Sequence, residues 1–300
     1  MYMNRRQFLL AGSSVAMMTG IAGCTDFLSG DGGDISDVGT WLPDPRDIDS
    51  DLDHYSFEAT SPAAQAEAVD DLVLETTFRP SLEFGSVNVT DVENTVSASM
   101  STGSTNYSFD VYFGSFDADW IETNVRNGGY GRDRSEGDLT IYEDGDDFGS
   151  RAIAVSGDTI IEASHDGEDA DATRLVTTLL DTEAGEVSRY TDALSDMNDL
   201  LDNLPGGHRV TGETFERTEN NDPEFGEFRN QVASGRSETI TGREVDRSEV
   251  LVFLDEADVV ERDIDRYIEE SGQFADYLGQ PSYEISGRTV TISGTTPYSL

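Results

Sequence analysis

The chain has 300 residues, and its 61 aspartates and glutamates outnumber 19 basic residues, which gives a formal net charge of −42. All 19 basic residues are arginines, since the sequence contains no lysine. A surface this acidic repels a phosphate backbone, which argues against nucleic acid as a partner. Apolar residues recur periodically along most of the chain, which argues against an intrinsically disordered acidic protein.

The charge indicates adaptation to very high salt. Carboxylates are spread from Asp26 to Glu284, whereas an acidic surface built for one basic partner would concentrate them. Like charges at this density oppose compaction in dilute solution, but at about 1 M salt the Debye length falls to about 3 Å and most of the repulsion is screened. The use of arginine in place of lysine is consistent with high salt, because a guanidinium group pairs bidentately with carboxylates. We therefore expect a halophilic protein.

The first 24 residues have the order of an export signal. Two arginines, Arg5 and Arg6, precede Phe8 and Leu9, and a weakly apolar run then leads to small residues before Cys24. A basic start, an apolar middle and a small-residue end are typical of a signal peptide. The apolar run is shorter than the roughly 20 residues of a membrane span and is interrupted by polar residues, so we do not expect it to cross a bilayer.

Two motifs in this segment resemble known export signals. The first, Arg5-Arg6-x-Phe8-Leu9, resembles a twin-arginine signal. The second, Ile21-Ala22-Gly23-Cys24, resembles the lipobox of lipoproteins. Together with the lysine-free acidic body, these motifs make the chain resemble the twin-arginine-exported lipoproteins of haloarchaea, many of which have no assigned activity.

The resemblance implies a location and an anchor. The protein would fold before it crosses the membrane through the twin-arginine translocase, and cleavage before Cys24 would be followed by lipidation of its sulfur. Cys24 is the only cysteine, so an intrachain disulfide is excluded. A two-chain lipid modification makes attachment durable. We therefore expect an extracytoplasmic protein held by lipid on the outer face of the cell membrane.

Composition divides the chain into four parts. Residues 1–23 are the predicted signal peptide, and residues 24–53, rich in Gly, Asp, Ser and Pro, are the predicted flexible, lipid-anchored tether. Within the tether, Trp41 and Leu42 are expected to dock first on the body. Residues 54–190 and 191–300 are predicted to form a first and a second α+β domain.

The first domain begins with a predicted strand at 54–59, a helix at 61–75 and sheet at 81–101. Ser61 is the expected cap of this helix. A strand that leads into a helix follows at 108–129, and an alternating pattern predicts a hairpin at 151–164.

From residue 171 onward, the sequence again predicts helices, strands and a hairpin. Residues 171–204 predict two amphipathic helices, and residues 208–216 predict a strand. A second strand that leads into a helix follows at 248–271, with a second hairpin at 283–294. Each hairpin turns at a Ser-Gly-x-Thr sequence, which begins at Ser156 in the first and at Ser286 in the second.

This shared order of elements indicates an internal duplication, with the acidic segment 132–149 as an insertion in the first copy. Chance similarity of common β-α-β-β pieces is the alternative. The predicted fold class is α+β, with two related sheet-plus-helix halves, each similar to a ferredoxin-like unit, in tandem after the signal peptide and tether.

A search for catalytic and metal-binding patterns predicts no catalytic residue, no metal site and no cofactor. The three histidines, His54, His165 and His208, lack the spacing of zinc ligands. Two acidic runs, 47–53 and 143–147, do not match a twelve-residue calcium loop. No serine or cysteine lies in a G-x-S-x-G context. Sequons at Asn88 and Asn106 would permit N-glycosylation of an exported chain.

Three hypotheses for function follow. The first is a lipid-anchored, non-catalytic surface protein that binds another protein, an envelope component or a small solute, which a convex surface with a flat apolar patch would favour. The second is a solute-binding lipoprotein of a transporter, which a deep pocket lined by Tyr112, Trp120 or Tyr142 would favour. The third is an extracytoplasmic hydrolase, which a buried carboxylate or histidine with an oriented partner would favour. Core packing is the alternative role of the three aromatic residues.

The charge leads to a prediction about folding. We expect the chain to fold cooperatively in molar salt and to lose structure below a few hundred millimolar, because screening of carboxylate repulsion then fails. Far-ultraviolet circular dichroism during stepwise dialysis measures this. A spectrum that low salt leaves unchanged would contradict the halophilic interpretation.

Overall fold

The computed structural model describes residues 35–68, 87–146, 149–167 and 170–298. The export signal, Cys24 and residues 25–34 of the predicted tether lie outside the described residues. Among the described residues, no helix has both the length and the apolar composition that a membrane crossing requires.

Twelve strands form one sheet, in which every neighbouring pair is antiparallel. Their order across the sheet is β11-β12-β10-β9-β8-β1-β2-β3-β7-β6-β5-β4. The strands are β1 (Ser56–Thr60), β2 (Val92–Thr102), β3 (Thr105–Gly114), β4 (Gly131–Glu136), β5 (Leu139–Asp146), β6 (Gly149–Val155), β7 (Thr159–Asp166), β8 (Arg209–Thr214), β9 (Gln231–Thr241), β10 (Glu244–Phe253), β11 (Ser282–Ser286) and β12 (Thr289–Pro297).

Helices connect or flank these strands. Asp117 is the N-cap of α3 (Ala118–Asn127), within the predicted strand-to-helix segment 108–129, since its carboxylate accepts a hydrogen bond from Trp120 N at 3.0 Å. In the second half, residues 256–258 form only a 3₁₀ turn before the helix begins at Glu261. The helices are α1 (Pro45–Ile48), α2 (Pro62–Ala68), α3 (Ala118–Asn127), α4 (Ala172–Glu183), α5 (Tyr190–Ala193), α6 (Ser195–Asn203) and α7 (Glu261–Glu270).

The prediction of two tandem ferredoxin-like α+β halves is wrong, because the protein is mainly β and has one continuous sheet. β1 and β8 pair over five residues, from Ser56 opposite Glu213 to Thr60 opposite Arg209. Two separate sheets would leave both strands as edges with unpaired N–H and C=O groups, and this pairing satisfies those groups. The sheet therefore crosses the predicted domain boundary at 190/191.

The strand order is symmetric about the β1–β8 pair. Outward from this pair, the order is β2-β3-β7-β6 on one side and β9-β10-β12-β11 on the other. β4 and β5 have no counterpart in the second half, and they coincide with most of the predicted insertion at 132–149. The internal duplication stays a prediction, and the symmetric strand order is the structural observation that bears on it.

The two Ser-Gly-x-Thr sequences form the β6–β7 and β11–β12 turns. Ser156 Oγ accepts a hydrogen bond from Thr159 N at 2.9 Å, which closes the first turn. In the second turn, Gly287 has φ +59°, a conformation that glycine adopts without strain. Arg288 in the same turn pairs with Asp196 and Asp199 of α6 at 2.6 and 2.7 Å, so this turn also fixes α6 on the sheet.

One face of the sheet, the helical face, carries the main core. α4 and α6 pack on it, and so do residues 35–55, which precede β1. Trp41 and Leu42 are buried, and the Trp41 ring lies edge-on to Phe113 with centroids 5.2 Å apart. Part of the predicted tether thus belongs to the folded body, because its few apolar residues cover the sheet.

The opposite face, the open face, is apolar only towards its two ends. Under α3, Ile121 and Val125 pack against a cluster that includes Tyr112 and Tyr142. Under α7, Ile264 and Tyr267 pack against the second cluster, which is Phe228, Leu251, Phe253, Phe274, Val290 and Ile292. The strands between these clusters carry polar side chains on the open face.

Candidate functional site

The predicted site residues fall into two groups. The two sequon asparagines lie in the described part of the chain, and the export motif and lipidation site lie outside it. Both sequon asparagines, Asn88 and Asn106, are exposed. Asn88 Nδ2 donates a hydrogen bond to Asp91 Oδ2 at 3.0 Å. Glycosylation of either asparagine stays a prediction. The residues outside are the export motif and lipidation site, Arg5, Arg6, Phe8, Leu9, Ile21, Ala22, Gly23 and Cys24.

The three histidines lie apart and take part in the fold. His54 Nδ1 lies 3.0 Å from Thr214 Oγ1, and the His165 ring stacks on Tyr107. His208 is buried and its Nδ1 accepts a hydrogen bond from the backbone N–H of Ile240 at 3.0 Å. Burial lowers the pKa of His208, which keeps the ring neutral. Among the described residues, no group of three histidine or acidic side chains is arranged to hold a metal ion.

The three aromatic residues considered as pocket walls lie in or beside the α3 cluster. Tyr112 and Tyr142 are buried, and Trp120 is 44% exposed. The Tyr142 hydroxyl donates to Glu122 Oε2 at 2.7 Å and accepts from Arg126 Nη2 at 2.8 Å. Tyr112 and Tyr142 thus act in core packing.

A cavity of ≈ 640 Å³ lies between the two apolar clusters on the open face, and we call it the trough. Its lining residues all come from the six central strands, β10, β9, β8, β1, β2 and β3. Its volume is within the range of about 300–1,000 Å³ that ligand pockets occupy.

Strand register arranges the open face in rows that form the floor of the trough and continue beyond it, because directly opposed residues point to the same face. The middle row crosses seven strands, from β10 to β7, as Glu249, Arg236, Thr211, Glu58, Ser97, Asp110 and Glu162. One flanking row is Arg247, Glu238, Arg209, Thr60, Thr95 and Tyr112. The other is Ser234, Glu213, Ser56, Ser99, Ser108 and Ser164.

Ion pairs between neighbouring strands hold the charged side chains of the trough. Arg209 Nη2 lies 2.7 Å from Glu58 Oε2, and its Nη1 lies 3.9 Å from Glu238 Oε2. Arg247 Nε lies 3.0 Å from Glu238 Oε1. Since Glu238 contacts two arginines, these side chains form a network whose geometry exists before any ligand binds.

Asp110 is a carboxylate in the trough with an oriented partner and a raised pKa. Burial raises the pKa of Asp110, the hydrogen bond from Ser97 opposes this rise, and the negative charge of Glu58 adds to it. Ser97 Oγ donates to Asp110 Oδ1 at 2.5 Å. The floor therefore holds a partly desolvated carboxyl group at its centre.

Smaller cavities extend the trough at both ends. At the α3 end, a cavity of ≈ 180 Å³ shares Ser108 and Asp110 with the trough and adds Tyr130 and Arg151. At the α7 end, a cavity of ≈ 310 Å³ shares Arg236 and adds aromatic side chains. The whole groove is an elongated polar channel with an aromatic residue at each end.

The floor offers three kinds of hydrogen-bonding group in close alternation. Guanidinium groups only donate, carboxylates only accept, and serine and threonine hydroxyls do both. A ligand that carries many hydroxyl groups matches this alternation, because each of its hydroxyls also donates and accepts. A purely apolar ligand would leave these groups desolvated and without partners.

The trough was not predicted from the sequence, although a polar–apolar alternation in some of its strands is visible there. Polar residues alternate with apolar ones in β1, β2 and β3, for example Ser56-Phe57-Glu58-Ala59 in β1. Such alternation is also the ordinary pattern of a sheet with one solvated face. Only the neighbours of each strand show that these polar positions line one cavity.

Comparisons with known proteins add a weak likeness. No protein-family model and no curated protein matches the chain. Among solved structures, the chain is similar to TP0453 in crystal forms I, III and IV, with TM-scores of 0.44, 0.46 and 0.43 at 11% sequence identity. The matches cover 87% of this chain and 93%, 94% and 92% of TP0453, respectively. A likeness at this level says nothing about function.

The buried position of Asp110 leads to a prediction about stability. Because the folded-state pKa lies above the ordinary 3.8, ionised Asp110 disfavours folding, and this penalty grows as the pH rises from 3.8 through the folded-state pKa. Asp110→Asn, whose amide oxygen still accepts from Ser97, should therefore raise the Tm at pH 7. The gain should shrink towards pH 4, as thermal unfolding in molar salt measures.

Asp138→Asn is the matched control for Asp110→Asn, since Asp138 is exposed in the β4–β5 turn. It removes the same formal charge without removing a buried carboxylate. An equal gain in Tm from both variants would show that global charge, and not the environment of Asp110, determines the effect.

Proposed function

We propose that this chain is a lipid-anchored, non-catalytic protein of the cell surface that binds a hydroxyl-rich ligand, of the sugar class, in the trough. The ligand is either part of the envelope or a free solute. One observation carries the proposal: the open face is apolar under α3 and under α7, and it is polar, concave and networked by ion pairs between them.

A surface that only contacts solvent does not need partly buried carboxylates. Glu249 and Asp110 are largely desolvated, and the pKa of each is raised chiefly by burial. Burial of carboxylates costs free energy that a fully exposed row of acids would avoid. Costs of this kind are typical of binding and active sites, where the polar groups are held ready for a ligand.

The position of the N-terminal segment supports an outward-facing trough. The described chain begins at Ile35 and packs residues 38–55 on the helical face, which is opposite the trough. A lipid on Cys24 would thus be tethered to the helical side of the sheet. The trough would then be accessible to ligands outside the cell.

Binding in the trough is tested by blocking it. Ser99 is exposed on the trough floor, whereas Ser101 is exposed on the same face of β2 but does not line the cavity. Ser99→Trp should reduce the affinity for any bound oligosaccharide by tenfold or more, because the indole occupies the ligand's space. Ser101→Trp should leave the affinity unchanged.

The measurement is calorimetric titration of the purified full-length chain in molar salt, with a panel of neutral and uronic-acid oligosaccharides. Circular dichroism confirms that both variants fold. If no member of the panel binds, or if both tryptophan variants bind like the wild type, the proposed binding site is wrong.

A hydrolase is the second candidate, favoured by the desolvated Asp110 with its Ser97 partner. A carboxyl group with a raised pKa can act as a general acid on a glycosidic oxygen. The same titrations distinguish the two functions when the oligosaccharides are recovered and sized. Intact sugar after prolonged incubation supports binding, and shortened chains that Asp110→Asn abolishes support hydrolysis.

The anchor is tested separately from the binding site. In a halophilic host, Cys24→Ser should leave the protein unprocessed or release it into the medium, because the serine hydroxyl cannot accept the lipid that the lipobox places on sulfur. Fractionation and immunoblotting measure this, with Thr25→Ala as the control. Membrane retention of Cys24→Ser equal to that of the wild type would remove the lipid anchor from the proposal.

A further inference from the structure

The cavity at the α7 end of the trough has an unusual charge for this chain. Its five lining residues are Arg236, Arg247, Gln273, Phe274 and Tyr277, and none of them is acidic. In a protein with 61 acidic and 19 basic residues, a cavity wall with two guanidinium groups and no carboxylate is unusual, although each arginine has a glutamate within 4 Å behind the wall.

The two arginines are not equally neutralised by their neighbours. Arg247 Nε lies 3.0 Å from Glu238 Oε1, which is a close ion pair. Arg236 Nη2 lies 3.8 Å from Glu249 Oε2, which is outside hydrogen-bond distance. The charge of Arg236 is therefore less closely neutralised than that of Arg247.

Hydrogen bonds of Tyr267 position the two side chains that contact Arg236. The Tyr267 hydroxyl donates to Glu249 Oε1 at 2.7 Å and to Gln273 Oε1 at 2.9 Å. Gln273 Oε1 also accepts from Arg236 Nη2 at 3.4 Å.

Burial raises the pKa of Glu249, and the hydrogen bond from Tyr267 and the charge of Arg236 oppose this rise. A guanidinium group carries five N–H donors, and the hydrogen bond to Gln273 engages one nitrogen of Arg236. The wall of the cavity thus presents two guanidinium groups beside an amide and aromatic side chains.

Aromatic side chains form the other wall. Phe274 is buried, and its ring centroid lies 5.2 Å from that of Tyr277. Tyr277 lies so close over Gly294 that a Cβ at this position would approach Tyr277 Cδ1 to 2.4 Å. An apolar wall excludes water on one side, and a guanidinium–anion contact is stronger in such surroundings.

We propose that this cavity is a carboxylate subsite, in which Arg236 and Arg247 bind the acid group of a hydroxyl-rich ligand that lies along the trough. Arg236 lines both cavities, so one ligand can reach both. This inference rests on the proposed function, and it specifies the ligand class as acidic sugars, of the uronic-acid type.

In molar salt, the affinity for an anion depends on the geometry of its direct contact with the guanidinium group. Long-range attraction is screened at about 1 M salt, so only an anion in direct contact gains from the guanidinium charge. Chloride competes at the same site, but a planar carboxylate can accept two parallel N–H···O bonds from one guanidinium, and a spherical ion cannot. The subsite is therefore selective for oxyanions even in brine.

The test uses one sugar in two charge states. A galacturonic acid tetrasaccharide, and the same compound after reduction of its carboxylates to hydroxymethyl groups, are titrated calorimetrically into the full chain in molar sodium chloride. We expect the acidic form to bind at least tenfold more tightly. Arg236→Gln should abolish that difference, because it should weaken binding of the acidic form far more than binding of the reduced form.

Arg243→Gln is the matched control, since Arg243 is exposed in the β9–β10 turn and its loss changes the net charge equally. Equal affinities of wild type for the two sugars, or equal effects of the two arginine variants, would overturn the carboxylate subsite.

The trough variants separate this inference from the proposed function. If both sugars bind equally and Ser99→Trp weakens them, the carboxylate subsite fails and the proposed function stands. If the acidic sugar binds through Arg236 but is indifferent to Ser99→Trp, the subsite stands and binding along the trough fails. If neither sugar binds, both are wrong.

Discussion

The pairing of β1 with β8 is the constraint on which the rest of the structure depends. Its five residue pairs join the strands of the two halves into one sheet and place Glu58 opposite Thr211. A shift of one residue would turn Phe57 towards the trough and Glu58 towards the core, since side chains alternate between the two faces. Burial of Phe57 and Val210 on the helical face therefore fixes the register of the polar floor.

The trough exists because the two faces of the sheet are covered differently. The helical face is packed against α4, α6 and residues 35–55, which supplies the main core. On the open face, α3 and α7 bury apolar clusters near the two ends. The central strands are thereby packed through their helical face and flanked by the α3 and α7 clusters. Their open face can therefore carry charged and hydroxyl groups without loss of the core.

Arginine plays a particular part in so acidic a chain. Arg209, Arg236 and Arg247 all lie on the central strands, and each has a glutamate on a neighbouring strand. Contacts of this kind between adjacent strands persist in high salt better than long-range attraction does, because the charges are only 2.7 to 3.8 Å apart. These three arginines thus order the trough, and Arg236 and Arg247 place guanidinium groups at its α7 end.

The sequence by itself determined the local elements: the alternating strands, the cap of α3 at Asp117 and the two Ser-Gly-x-Thr turns, each of which depends on neighbouring residues. It also determined the charge, the export motif and the single cysteine on which the predicted anchor depends. Only the tertiary structure decided that the halves share one sheet and that Asp110, Arg236 and their neighbours line one groove. Backbone hydrogen bonds between strands are alike for almost any pair of sequences, so local patterns do not specify which strands become neighbours.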